Sequence, residues 1–311
     1  RLALSSLVDV ASIFPAIIRN DLRACIFHIF STILATGICQ AEVMPQALPT
    51  FKHFIQVITH PKEAGEQTDN LKVVSRQVRG CLVRFLTTLK IAQRRESETS
   101  LPCAKNTLLA TTILLTTGGH VIPPQDPIIF EVLNEFLDCL QDVGLAHVAA
   151  GCLRSILVAS TPRSPTDEVI ARYLTPRLIG FLIGCPAETG ETPSDPENCR
   201  AVIARALVAC VSNATLAENV TALSIVMSAL LVRAKLEGNA VHKETAGHLL
   251  ELAKADQVSF RAIVAGLKPE QKALLEEILR CADVAQPGRT RAESINGGQQ
   301  SMPSIALRFD F

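Results

Sequence analysis

The chain has 311 residues, of which 30 are basic and 30 acidic, so its formal net charge is zero and no global field draws it toward nucleic acid or an anionic membrane. Apolar residues make up 48%, yet aromatics are few, with no Trp and one Tyr. That balance favours close helix-to-helix packing over sandwiches or base-stacking surfaces, and the length exceeds what one compact core usually fills.

Residues 2–14 and 15–36 read as a first helix pair, with Leu4, Leu7, Val8 and Ile13 on the core face of the first and Leu22, Ile26, Ile29, Phe30 and Ile33 on the second. Position 1 is Arg and a core helix starts at once, which reads as a piece of a longer protein. Asp9 interrupts the first apolar run, so it does not read as a secretory signal. Two apolar stretches, Ala24 to Ala41 and Asn106 to Gln125, imitate membrane spans. The polar residues of the first and the Gly118-Gly119 and Pro123-Pro124 breaks of the second make both buried helices instead.

The next pair is read at 45–58 and 70–92. Leu48, Phe51, Phe54, Ile55 and Ile58 form one buried stripe after an early proline, and the grammar returns at 173–183 around Pro176. In the second helix Leu71, Val74, Val78, Leu82, Phe85, Leu86 and Leu89 oppose a basic face of Lys72, Arg76, Arg79 and Arg84. An apolar helix follows near 103–117.

Asp126-Pro127 opens a helix, since Asp accepts an orphan amide and Pro suits the first helical position. Its stripe is Ile129, Val132, Leu133, Phe136, Leu137 and Leu140, with Glu131, Glu135, Asp138 and Asp142 opposite. Gly144 is expected to make the turn to a helix at 145–160, and Gly151 to allow close approach there. Thr161 to Thr166 reads as a linker. Further helices are predicted at 167–184, 196–213, 215–236 and 240–255, the second opened by Asp195-Pro196 with Val202, Ile203, Ala206, Leu207 and Cys210 inward. Val258 to Leu267 is a short segment, and a helix from Pro269 carries Leu274, Leu275, Ile278 and Leu279 as a terminal cap.

The expected organisation is an all-α, HEAT-like solenoid of stacked antiparallel helix pairs over residues 1–281, about six or seven pairs at the usual 40 to 47 residues each. A polar, flexible linker follows at 282–303, and 304–311 is a short apolar peptide. In that peptide Ile305, Leu307, Phe309 and Phe311 alternate, the pattern of an extended segment with one apolar face that docks onto a groove.

No phosphate loop, dinucleotide fingerprint, His-Glu-x-x-His or Gly-x-Ser-x-Gly occurs, so no catalytic, cofactor or metal residue is predicted and the chain reads as non-enzymatic. The ten cysteines lack metal or disulfide spacing and read as reduced, in a cytoplasmic setting. The acidic residues 131, 135, 138 and 142 and the basic residues 72, 76, 79 and 84 are the candidate partner surfaces, against the plainer reading of solvated helix faces. Asn213-Ala-Thr215 and Asn219-Val-Thr221 read as chance sequons, and Arg291-Ala-Glu-Ser294 as a chance match to a kinase substrate.

Proline in first helices and arginine in second helices, at 47–58 with 71–89 and at 173–183 with 199–211, resemble HEAT repeats. The closing Lys268-Pro-Glu-Gln-Lys-Ala-Leu-Leu275 and the tail ending Pro303-Ser-Ile-Ala-Leu-Arg-Phe309 resemble the carboxy-terminal region of the HEAT repeat-containing protein 5 family. The resemblance implies a large cytosolic accessory of a clathrin adaptor complex, acting between endosomes and the trans-Golgi network and reaching membranes through its partners. It implies no catalytic residues. A nuclear transport receptor or another HEAT adaptor, and a regulatory scaffold subunit of a kinase or phosphatase assembly, are the alternative readings; a transport receptor would be expected to be net acidic.

Overall fold

An apolar stripe repeated every three to four residues needs a packing surface, and in a computed structural model each helix finds it on the helices next to it in sequence and next but one. The structure describes residues 44–59, 67–160, 164–184, 196–212 and 219–284, together with Ser6 and Ile38. In order these form α1 (Met44–Thr59), α2 (Gln67–Gln93), α3 (Ser100–Gly118), α4 (Pro127–Cys139), α5 (Ala146–Ala159), α6 (Pro165–Ile183), α7 (Pro196–Ser212), α8 (Asn219–Glu237), α9 (His242–Ala255), α10 (Gln257–Gly266) and α11 (Pro269–Val284). Short 3-10 turns at Gly119–Val121 and Gly238–Val241 lead into α4 and α9, and no strand occurs among the described residues. The expected pair at 2–36, the linker and the terminal peptide lie outside the described residues.

The helices make two rows. Odd-numbered helices stack α1 on α3, α3 on α5, α5 on α7, α7 on α9 and α9 on α11, while even-numbered ones stack α2 on α4, α4 on α6, α6 on α8 and α8 on α10. Crosswise packing of α2 with α3, α4 with α5, α6 with α7 and α8 with α9 closes each pair, and the whole is an α-solenoid. The pairing frame differs from the expected one at the start: α2 packs mainly on α3, and α1 mainly on α3 rather than on α2. The 60–66 and 94–99 connections are of nearly equal length, so the packing of α1 and α2 on α3, and not loop length, sets this frame.

The odd row is the more closely packed, and small side chains make up part of its buried surface. Ala104, Thr107, Ala110 and Thr111 of α3, Ala149 and Ala150 of α5, Ala204 and Ala206 of α7, and Ala246 of α9 are all buried. Threonine is a poor helix former, yet α3 tolerates several because their hydroxyls donate back to carbonyls one turn earlier: Thr107 to Cys103 at 2.7 Å, Thr111 to Thr107 at 2.7 Å and Thr112 to Leu108 at 2.8 Å. Those bonds let a Thr-rich helix sit in the core with its polar atoms satisfied. Among the described residues no helix is long and apolar enough to cross a membrane.

Most residues of the predicted stripes are buried, while Leu48 of α1 and Leu137 of α4 are half-buried. Phe51, Phe54, Ile55 and Ile58 of α1 and Val74, Val78, Leu82, Phe85, Leu86 and Leu89 of α2 are buried. Phe51 meets Phe85 edge to face, with ring centroids 6.1 Å apart. Asp126 caps α4, its Oδ1 accepting from Ile128 N at 3.1 Å with Pro127 in the first turn, and Ile129, Val132, Leu133, Phe136 and Leu140 are buried behind it. α7 buries Ile203, Ala206 and Leu207 of its predicted face, leaves Val202 and Cys210 half-buried, and also buries Cys199, Ala204, Val208 and Val211. Asp195, its expected cap, lies outside the described residues.

Three glycine and linker expectations change. A Cβ on Gly151 would meet nothing within 4 Å, so Gly151 is not a close-approach site. The close approach is at Gly144, where a Cβ would lie 3.0 Å from both Arg95 Nη2 and Leu101 Cδ1. The Thr161–Thr166 linker is shorter than predicted: Ser164 caps α6 with Pro165 next to it, and Thr166 is buried, its hydroxyl donating to Ile122 O at 2.8 Å. In thermal or urea melts, Leu133→Asp is expected to lose about 4 kcal/mol or more, because it buries an unpaired charge. Gly151→Ala is expected to gain about 0.5–1 kcal/mol from helix propensity alone; a loss would mean Gly151 is spatially constrained after all.

Candidate functional site

Three residues of the charged faces read from the sequence, Arg79, Glu135 and Asp142, pair across the seam between α2 and α4, each with a charged residue outside the two predicted faces. Helix α2 packs beside α4, and its basic side chains reach across: Arg79 Nε lies 2.8 Å from Asp126 Oδ2, Lys90 Nζ lies 3.7 Å from Glu135 Oε2, and Arg95 pairs with Asp142. Between them Gln93 Nε2 donates to Cys139 Sγ at 3.1 Å. Arg79 and Asp126 are 47 residues apart, as are Arg95 and Asp142, which is one repeat length. The seam is therefore a ladder between consecutive repeats.

Its last rung is locally strained. Arg95 takes a left-handed φ of 54°, where a residue with a Cβ is disfavoured by about 1 kcal/mol or more. Asp142 holds it there, and the same Asp142 Oδ1 accepts from Gly144 N at 2.8 Å. Of the predicted surfaces, Arg79, Glu135 and Asp142 thus serve this internal seam. Glu131 and Asp138 remain exposed on α4, Lys72 and Arg76 are exposed on α2, and Arg84 is half-buried. A second seam joins α4 to α6 through Tyr173, whose ring packs tilted at 58° against Phe130 with centroids 4.9 Å apart and carries the Arg177 guanidinium 3.6 Å above it, and whose hydroxyl donates to Asn134 Oδ1 at 2.7 Å.

Sequence reading missed a buried ionic cluster where α6, α7, α8 and α9 converge. Arg233 of α8 is only 1% exposed; its Nε bonds Glu237 Oε2 at 3.1 Å, and its Nη1 and Nη2 fork onto the two Glu244 oxygens at 3.4 and 3.3 Å. Arg200 Nη1 reaches Glu237 Oε1 at 3.1 Å, and Arg200 Nη2 donates to the Gly184 carbonyl at the end of α6. His248 Nε2 sits 3.2 Å from Glu244 Oε1. The signal for it was one arginine and a glutamate four residues on, inside the apolar run Val220 to Leu236. Nothing in that spacing says the pair is buried.

Burial pushes the His248 imidazole down from its ordinary range; Glu244 and Glu251 pull it back up, and Arg233 and Arg205 push it further down. Burial also pushes the Cys81 and Cys139 thiols up to about 12 and Cys152 up to about 11. They pack as small apolar groups, protonated and unreactive. Among the described residues no group of three or more His, Cys, Asp or Glu is placed to hold a metal ion. Ile305, Leu307, Phe309 and Phe311 lie outside the described residues.

Removing one partner of a buried pair strands the others, so Arg233→Ala is expected to cost about 3–5 kcal/mol. Arg79 is half-exposed, and Arg79→Ala is expected to cost under about 1 kcal/mol. Denaturant melts of the two variants check the contrast. Because the folded state holds His248 below its unfolded value of 6.5, the unfolded chain takes up the proton first as pH falls. The stability from a neutral His248 is full above about pH 6.5 and is lost below it, through the window down to the folded value. Melting temperatures followed from about pH 8 to about pH 5.5 should fall in the parent chain and fall less in His248→Gln.

Comparison with known families agrees with this architecture. A family model described as "LAA1-like, C-terminal TPR repeats" matches residues 125–292, more than half the chain and the span that holds α4 to α11. No curated protein and no solved structure matches. TPR and HEAT units both stack antiparallel helix pairs side by side, and the two rows are that arrangement. The chain belongs to the LAA1-like C-terminal repeat family, the group to which the resemblance to the HEAT repeat-containing protein 5 family pointed.

Proposed function

We propose that this chain is a non-enzymatic protein-binding scaffold, an accessory of a clathrin adaptor complex in traffic between endosomes and the trans-Golgi network. The observation that carries the scaffold reading is the coincidence of the family match with the stacked helices of residues 125–284. A stack of repeats offers long lateral faces rather than one concave pocket, which suits recognition of other proteins. The adaptor assignment rests on the family resemblance. In this reading the solenoid spans 1–281, a linker 282–303 and a docking peptide 304–311, and the protein is cytoplasmic, held at trans-Golgi or endosomal membranes through its partners.

Four of the predicted surface residues remain suited to partner contact in this reading. Glu131 and Asp138 are exposed seven residues apart, on one face of α4, and Lys72 and Arg76 are exposed four apart on α2. Affinity purification of the tagged protein from cells, read by mass spectrometry, is expected to enrich subunits of a clathrin adaptor complex. Charge reversal at Glu131 and Asp138 together should weaken that enrichment if α4 faces the partner. Enrichment of nuclear pore components with an acidic GTPase, or of kinase or phosphatase catalytic subunits, with no adaptor subunit, would overturn the reading.

A further inference from the structure

Helix α8 carries apolar side chains on an exposed face as well as on its buried one. Leu223, Val226, Met227, Leu230, Leu231 and Ala234 are buried against its neighbours α6, α7, α9, α10 and α11. On the remaining face Ile225, Val232 and Leu236 are 47%, 40% and 51% exposed. Spacings of seven and four residues place these three on one side of the helix, over about 16 Å at 1.5 Å per residue. Single exposed apolar side chains need no explanation, but three branched ones in line on a helix face mark a covered surface.

We propose that this stripe is the seat of the chain's own segment Ser304–Phe311. The match is one of size and pattern. Ile305, Leu307, Phe309 and Phe311 alternate, so an extended segment puts all four on one face. From the first to the last they span about 20 Å at 3.3 Å per residue, close to the length of the stripe. Helix α11 packs against α8 and ends at Val284, and the residues from 285 to 304 reach at most about 65–70 Å when extended. A tether of that length covers the whole of α8. The segment thereby shields an apolar face that would otherwise be open to any apolar helix or peptide, and a partner that uses the face must displace it.

The geometry also sets the expected numbers. A short polar tether gives an effective concentration on the order of 1 mM, so a segment that binds in trans at about 100 µM keeps the seat about 90% occupied. A fluorescent peptide of residues 304–311 is expected to bind the chain lacking those residues at about 100 µM or tighter by anisotropy, and the full chain about tenfold more weakly, because the resident segment competes. Val232→Asp in the truncated chain should abolish peptide binding with an unchanged circular dichroism spectrum. Val143→Asp, at a 73% exposed position in the turn between α4 and α5, should leave it intact. Equal affinity for the full and truncated chains, or no binding at 1 mM peptide, would overturn the proposal. A full chain that blocks the peptide only as a dimer would contradict an intramolecular seat. Adaptor pulldown is independent of all these outcomes, so failure here and failure of the scaffold reading are distinguishable.

Discussion

The constraint on which everything else rests is that, among the described residues, no helix pair buries its apolar face alone. The α4 stripe from Ile129 to Leu140 covers α5 on one side, and α2 and α6 on the others. α5 in turn lies between α3 and α7. Each interior helix is thus sandwiched by neighbours one repeat before and after it, and stability is a sum of repeat terms and nearest-neighbour interfaces. Ala and Thr make up part of the buried surface of the odd row, and the back-bonded threonines of α3 show how the hydroxyls are satisfied there.

Charged groups play two roles in this stack, and magnitude separates them. The α2 to α4 ladder is half in water, so each rung contributes little energy and mainly fixes how one repeat sits on the next. The Arg200, Arg233, Glu237, Glu244 and His248 cluster is largely withdrawn from water and ties α7, α8 and α9 together, while Arg200 also holds the Gly184 carbonyl at the end of α6. Its charges are costly to strand, which makes α6 to α9 the segment where repeat geometry is most sharply specified. A scaffold whose partners read a long lateral face depends on that geometry, since a rotation at one interface displaces every repeat beyond it.

Much of the fold was legible because helical periodicity and capping are local. Asp126-Pro127 and the α4 stripe behind it could be read from a dozen residues. What failed was not local. The partner of α1 depends on how α1 and α2 both pack on α3, which the stripe at Phe51 to Ile58 does not encode. Gly151 stands open and Gly144 crowded because of what neighbouring repeats place beside them, chiefly Arg95 and Leu101. Arg79, Glu135 and Asp142 looked like solvent-facing charges, and their partners lie one repeat away. Nothing local to Arg233 marks it as buried; the arrival of α7 and α9 puts it in the core.

Periodic stacking at one repeat length is the central claim, and zero-length carbodiimide cross-linking with peptide mapping tests it most directly. Lys90 and Glu135 sit 3.7 Å apart on adjacent even-row helices although far apart in sequence. A Lys90–Glu135 link, with the other carboxylate links falling between neighbouring repeats, is the result this account predicts. Links joining α2 to α8 or α10, with none to α4, would place distant repeats together and contradict the solenoid.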